Sequence, residues 1–352
     1  IHKGSREEWK KDLQQIKSIG YNTVKTWVEW AHCEPRKGRY NFDNLQLLGE
    51  LAQEVGLKIF IQAYAESAPE WVGKTYPDAL FEAQNGDKVI SQVCPGYCID
   101  HDEVRRHFAR FFEEAAKVAT KFPNFYGWDL WSEPHILQWG RPGWVQDAQY
   151  CYCPHTQAKF RTWLKKKYQS LEQLNKAWYR NYEDWEDVAP PRFSTILSYT
   201  DFIDWKSFIY DKMAGDLRLR TESIRKVDRS RVATAHASPV SLFSSPYGAG
   251  AEDDFLFSEQ VDYYGLSQYP KHNLSGDWVP WRFMAGADFS YSANKKNGGY
   301  YVGEFQAGFG TVGLNVSDPV TPEDQRIWAW SSLATGAKGI FVYAYYPMSS
   351  GY

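Results

Sequence analysis

Long apolar runs are missing from this chain. No stretch of its 352 residues approaches the roughly 20 consecutive apolar residues that a membrane helix needs, so no membrane partner is expected. An excess of charge of one sign is missing too. The 40 basic and 43 acidic residues leave a formal net charge of −3, too little to steer nucleic acid or anionic lipid, and neither is expected as a partner. Residues 1–20 read as a charged helix and lack the apolar centre of a secretory leader. The chain opens on Ile1 and not on Met, so an upstream segment is expected and the compartment is left open. Cysteine is scarce, with five in all, and no linker-like tract divides the chain.

Aromatic residues are abundant. The 16 Trp, 24 Tyr and 20 Phe make up 17% of the sequence. Flat rings stack on the C–H faces of sugars while Trp N–H and Tyr O–H bond hydroxyls, although most rings in a chain of this size simply fill a core. Those next to expected strand ends, Trp30, Trp131, Tyr269, Tyr345 and Tyr346, are the candidates for a binding site.

Apolar strand-like runs alternate with amphipathic helical stretches along the whole chain. Strands are expected at 21–30, 57–63, 125–132, 231–237, 262–268, 299–305 and 339–345. Helices are expected at 5–18, 42–55, 102–121, 155–178, 198–227, 281–295 and 322–336. Near-continuous apolar strands interleaved with helices predict an α/β fold with a parallel sheet, and the length favours one closed (β/α)8 TIM barrel over residues 1–352. Excursions are expected at about 64–100 and 135–195. Seven strands are counted. Because the chain opens on a helix, the first strand is expected at or before residues 1–4, largely missing, with the chain a fragment of a longer protein.

Two carboxylates end strands in this scheme. Glu133 closes Trp128-Asp129-Leu130-Trp131-Ser132-Glu133-Pro134 on strand four, and Glu304 sits in Gly299-Tyr300-Tyr301-Val302-Gly303-Glu304-Phe305 on strand seven. A barrel gathers such ends on one face, where two carboxylates about 5–5.5 Å apart perform retaining glycoside hydrolysis. Glu133 is then the acid/base and Glu304 the nucleophile, and no cofactor is needed for catalysis. Apolar neighbours and the Glu304 charge are expected to raise the pKa of Glu133.

Several segments together carry a resemblance. Glu34-Pro35 with Gly38-Arg39-Tyr40-Asn41-Phe42, Ala68-Pro69-Glu70-Trp71-Val72 with Tyr76-Pro77, Cys151-Tyr152-Cys153 with Gln157, and Trp328 to Gly339 fall in one order along almost the whole chain. The chain resembles glycoside hydrolase family 42. That resemblance implies a clan of retaining (β/α)8 glycosidases, a β-galactosidase-like exo-enzyme acting on terminal β-linked sugars of an oligosaccharide or β-glycoside, and a homotrimer.

Departures from the family pattern fall near the pocket. Ser132 stands where the resemblance implies an Asn that bonds the sugar 2-hydroxyl, and Lys25 where it implies an Arg. Tyr345-Tyr346 replaces a Trp-Arg pair. A hydroxyl reaches less far than an amide, and an ammonium lacks the guanidinium fork, so the reaction type is expected to survive better than the sugar preference. A β-mannoside or an algal galactan fragment is the alternative substrate, and a non-catalytic carbohydrate-binding barrel the alternative function. Tyr269 is read either as a donor to Glu304 or as a core tyrosine. His236 is read either as a substrate contact or as a structural group bonded to a neighbour. Asp129 fits equally a buried pair with Lys or Arg.

Cys151 and Cys153 are too close in sequence to pair easily with each other. With Cys98 they resemble three ligands of the family's structural zinc, and the fourth falls at Thr156. Cys94 or His155 would complete the set; otherwise the site is lost and the thiols are small buried hydrophobes.

Overall fold

The computed structural model describes residues 5–89, 96–134, 149–192, 199–238, 240–243, 252–271, 279–308, 311–312, 315–316 and 319–345. Seven strands form one parallel sheet in chain order: β1 (Thr23–Glu29), β2 (Lys58–Tyr64), β3 (Phe125–Ser132), β4 (Val232–Ala237), β5 (Tyr263–Gln268), β6 (Tyr300–Gln306) and β7 (Ala337–Tyr343). A helix precedes β1, and longer helices follow β1, β2, β3, β5 and β6 on the outside of the sheet. This is a (β/α)8 barrel in which, among the described residues, one strand is missing between β1 and β7.

The sheet is curled, as contacts between non-neighbouring strands show. Phe60 on β2 and Phe341 on β7 have ring centroids 4.6 Å apart, and Trp27 on β1 stacks on Tyr343 of β7 at 6.4 Å across the open seam. The Tyr126 and Tyr301 hydroxyls meet at 3.3 Å. Phe60, Phe341, Tyr126 and Tyr301 fill the interior, as bulky side chains do in closed barrels, and Trp27 with Tyr343 lies nearer the mouth. Bulk there depends on glycine nearby: a Cβ on Gly265 would overlap the Tyr301 carbonyl.

Local chemistry sets the element ends. Ser5 and Glu8 form a reciprocal capping box at the start of Arg6–Ser18, and Thr321 with Asp324 does the same for Pro322–Ala334. Helix Asp43–Val55 stops at Gly56, whose φ of +77° turns the chain into β2. Between sheet and helices lies a core of Leu51, Ile59, Ile61, Phe111, Phe112 and Leu217, all buried. The excursion after β2 carries the short helix Glu70–Thr75 and a two-stranded hairpin, Phe81–Glu82 with Lys88–Val89.

The last strand ends at Tyr343, two residues earlier than the sequence reading, and this corrects the expected position of Tyr345. That residue is 41% exposed and its hydroxyl donates to Gln15 Oε1 at 2.9 Å on helix Arg6–Ser18, away from the barrel mouth. Tyr346 lies outside the described residues.

Candidate active site

Glu304 projects into the barrel from β6, 8% exposed, with a donor on each oxygen. The Tyr269 hydroxyl donates to Oε2 at 2.6 Å and the Ser132 hydroxyl to Oε1 at 3.2 Å. Burial, then the Glu304 charge, pushes the Tyr269 pKa well up, so the phenol keeps its proton and serves as a donor. A carboxylate so clamped has a fixed direction and a place for negative charge.

Glu133 follows β3 with φ of +48°, left-handed backbone that a side chain other than glycine adopts only under constraint. The constraint is visible: its N–H donates to the His236 carbonyl at 2.8 Å. A register irregularity between Asp129 and Ser132, where β3 pairs with β4, re-aims the strand end. Burial, and after it the charge of Glu304, raises the Glu133 pKa, opposed by Ser267 and Ser238 beside the carboxyl and by His236. The two acids therefore share one region, close enough for the charge of Glu304 to act on Glu133.

Beneath them runs a polar chain. Lys25 Nζ lies 2.9 Å from Asp129 Oδ2 and donates to the Gly303 carbonyl at 2.7 Å. Asp129 Oδ2 is also 3.0 Å from His236 Nδ1, and His236 Nε2 is 3.1 Å from Ser132 Oγ. Lys25 thus lies inside the barrel, paired with Asp129, rather than at the pocket surface. His236 and Ser132 lie next to Glu304, and Tyr269 holds it.

Two tryptophans are corrected. Trp30 is 1% exposed, donates to Glu34 Oε2 at 2.7 Å and packs among Trp71, Phe108 and Phe111. Trp131 lies against the Arg220 guanidinium at 3.8 Å and stacks on Phe257, both on helices that cover the sheet. Both rings instead line a small cavity with Tyr97, Phe108 and Met213 that does not include Glu304. The rings that do stand at the mouth are half-buried: Trp27 stacked on Tyr64 at 5.5 Å and on Tyr343, with Tyr343 edge-on to Tyr269. The sequence reading missed these, along with Ser238, Ser267 and Gly303. It also missed Glu252, a buried acid whose pKa is raised well above the carboxylate range by burial and then by Asp254 and Glu133. Gly303 directly before Glu304 was a usable signal; the serines left none.

Cys98, Cys151 and Cys153 converge beside the barrel with sulfurs within 4.8 Å of one another, all buried. The Cys98–Cys153 separation of 3.6 Å approaches the edge of about 3.8 Å in a tetrahedron with Zn–S near 2.3 Å. The fourth corner belongs to Thr156, whose hydroxyl is 3.4 Å from Cys98 Sγ and 3.3 Å from Cys153 Sγ and donates to Asp100 at 2.7 Å. His155 is corrected as a ligand, because it turns outward to Asp78 at 3.0 Å. Cys94 lies outside the described residues. Hydrogen bonds from Cys151 and Cys98 depress the Cys153 thiol to about 2, and burial foremost pushes Cys151 up to about 12. A divalent ion would bind the three sulfurs as thiolates and release their protons.

Comparison with known proteins places the chain. The beta-galactosidase LacZ of Heyndrickxia coagulans is 24% identical over 354 residues, 97% of this chain and 49% of that protein. A catalytic mutant of Gan42B, a GH42 beta-galactosidase from G. stearothermophilus, matches with a TM-score of 0.83 and 20% identity over 98% of this chain and 50% of that one. The apo exo-carrageenase GH42 from Bacteroides ovatus matches with a TM-score of 0.69 and 19% identity over 91% of this chain and 44% of that one. At these identities the solved structures establish the fold alone, and the chain spans about half the length of the relatives it matches. Residues 2–352 match the profile of glycoside hydrolase family 42, described as beta-galactosidase, and the chain belongs to that family.

Proposed function

We propose that residues 1–352 form the catalytic barrel of a retaining exo-β-glycosidase, β-galactosidase-like, that removes terminal β-linked sugars through a covalent glycosyl-enzyme. The observation that carries this reading is the asymmetry of the two acids: Glu304 is held by two donors, while burial and then the charge of Glu304 raise the Glu133 pKa. Glu133 protonates the glycosidic oxygen as Glu304 attacks the anomeric carbon, and the C–O bond to the leaving group breaks. Forming the ester removes the negative charge on Glu304, and with it one cause of the raised Glu133 pKa. Glu133 is then a base able to take a proton from the water that cleaves the ester. Trp27, Tyr64 and Tyr343 provide apolar faces for the sugar.

A second sugar preference is favoured by one observation. Ser132 is occupied by Glu304 and His236 and has no amide to offer a 2-hydroxyl. A β-mannoside or an algal galactan fragment, the substrate class suggested by the carrageenase relative's name, is therefore the alternative within the same mechanism. We further propose that Cys98, Cys151 and Cys153 hold a structural zinc that fastens loops beside the barrel, and that the full-length protein assembles as a homotrimer.

The test uses the full-length protein with nitrophenyl β-galactoside and a panel of other β-glycosides. Glu304→Ala is expected to lower kcat by at least about 10⁴-fold, and azide is expected to restore turnover as an α-glycosyl azide. Glu133→Gln is expected to lose about 10²–10⁴-fold, less with a nitrophenol leaving group that needs little protonation. Undiminished activity in Glu304→Ala sinks the hydrolase reading; sugar binding without turnover in the wild type favours the carbohydrate-binding barrel.

A further inference from the structure

We propose that His236 is a positioning residue for Glu304, acting through the Ser132 hydroxyl, an inference that rests on Glu304 being the nucleophile. The imidazole is built into the barrel from three sides. Its ring lies against Gly303, where a Cβ would overlap Cγ and Nδ1, so the strand position before the nucleophile carries no side chain. The carbonyl of the same glycine accepts from Lys25, which ties β1 to β6 beneath the nucleophile. The second side is Asp129, 3.0 Å from Nδ1 and itself held by Lys25 at 2.9 Å. The contact is close but lacks aligned hydrogen-bond geometry, and the ring cannot flip without losing it.

The third side is the one that works on the nucleophile. Nε2 stands 3.1 Å from Ser132 Oγ and 3.9 Å from Glu304 Oε1, with the serine oxygen within hydrogen-bond distance of both. A serine hydroxyl by itself turns about χ1 and can leave the carboxylate for solvent. Ser132 has a single hydrogen, which it gives to Oε1, so Nε2 holds Oγ by donating its own, and Oγ stays between Nε2 and Oε1. Tyr269 holds the other oxygen, so both are oriented: Oε1 by a hydroxyl braced from behind, Oε2 by a phenol. Lys25, Asp129, His236 and Ser132 thus pass a single geometric constraint from the first strand of the sheet to Glu304.

Two substitutions at one position separate the contacts. Glutamine extends its amide nitrogen to about where Nε2 lies, whereas asparagine places its own where Nδ1 lies and stops short of Ser132. In the full-length protein, His236→Asn is expected to lower kcat about 10²-fold with KM changed less than about 3-fold, and His236→Gln to recover at least about 10-fold of that loss. The double variant with Ser132→Ala is expected to lose no more than either single one. In Glu304→Ala rescued by azide, adding His236→Asn is expected to change nothing, because the group being positioned is gone. If the histidine variants fail to fold, Asp129→Asn is measured in the same azide comparison and carries the same expectation. Wild-type kcat in His236→Asn overturns the inference. So does an equal loss in the Asn and Gln variants that tracks melting temperature, or a further loss in the azide-rescued background. Failure of azide rescue itself overturns the reading of Glu304, a separate outcome.

Discussion

Asp129 shows how one residue can be read correctly for its chemistry and still be hidden in its geometry. Strict alternation would put residues 129, 131 and 133 on one face, and Trp131, next to the strand end, is a sequence candidate for the pocket. The irregularity between Asp129 and Ser132 breaks that alternation, so Asp129 and Ser132 face the interior and Trp131 packs outward on Arg220. A bulge has no residue signature in this run, whereas a carboxylate at a strand end does, which is why Glu133 and Glu304 stand out as candidates in the sequence. Burial works against ionised Asp129, but His236 and Lys25 outweigh it and bring its pKa to about 2. A depressed carboxylate stabilises the fold above its ordinary value near 4, and that stability fades as pH falls from about 4 to 2. Asp129→Asn is therefore expected to lose about 2–5 kcal/mol at pH 7, with its gap to the wild type closing between pH 4 and 2 in denaturant titrations. A gap that is constant with pH would remove the ionic account.

Among elements, helices were the easier reading. Helices Asp43–Val55 and Asp102–Ala119 carry apolar stripes with polar residues opposite, and their limits fall within two residues of those expected from sequence. The final strand was misplaced by two residues because Ala337 to Tyr346 is apolar or aromatic almost throughout and no turn residue marks its end. The excursion expected to carry helices over 155–178 holds two, Pro154–Tyr168 and Leu171–Trp178, the second capped by the Ser170 hydroxyl, which accepts from Gln173 N–H. At the head of the first, Cys151 and Cys153 meet Cys98, which precedes helix Asp102–Ala119, so a bound ion would join the starts of two helices. Metal analysis of the reduced full-length protein is expected to find about one zinc per chain, and Cys151→Ser to lose it. Thr156→Cys, by supplying a fourth thiolate, is expected to tighten binding by about 10-fold or more. A metal-free protein that does not gain melting temperature with added zinc would show a thiol cluster held by packing alone.

At the scale of the whole molecule, the curled sheet ends on two strands whose outer edges have no partner among the described residues. β1 and β7 are parallel and face each other across a seam spanned by Trp27 and Tyr343. The helix before β7 also exposes Ile327, Trp330 and Leu333 along one side. Unpaired edges and exposed apolar residues favour association. Residues 1–352 are expected to form concentration-dependent oligomers by sedimentation. A monomer at every concentration would mean that the seam is already closed.

That seam turns folding of the isolated chain into a competition. Backbone groups along β1 and β7 cannot distinguish a native strand from any other extended peptide that presents the right spacing, since both would be stitched in by main-chain bonds alone. Whichever segment arrives first, the chain's own or a neighbour's, decides between a closed cylinder and copies linked end to end.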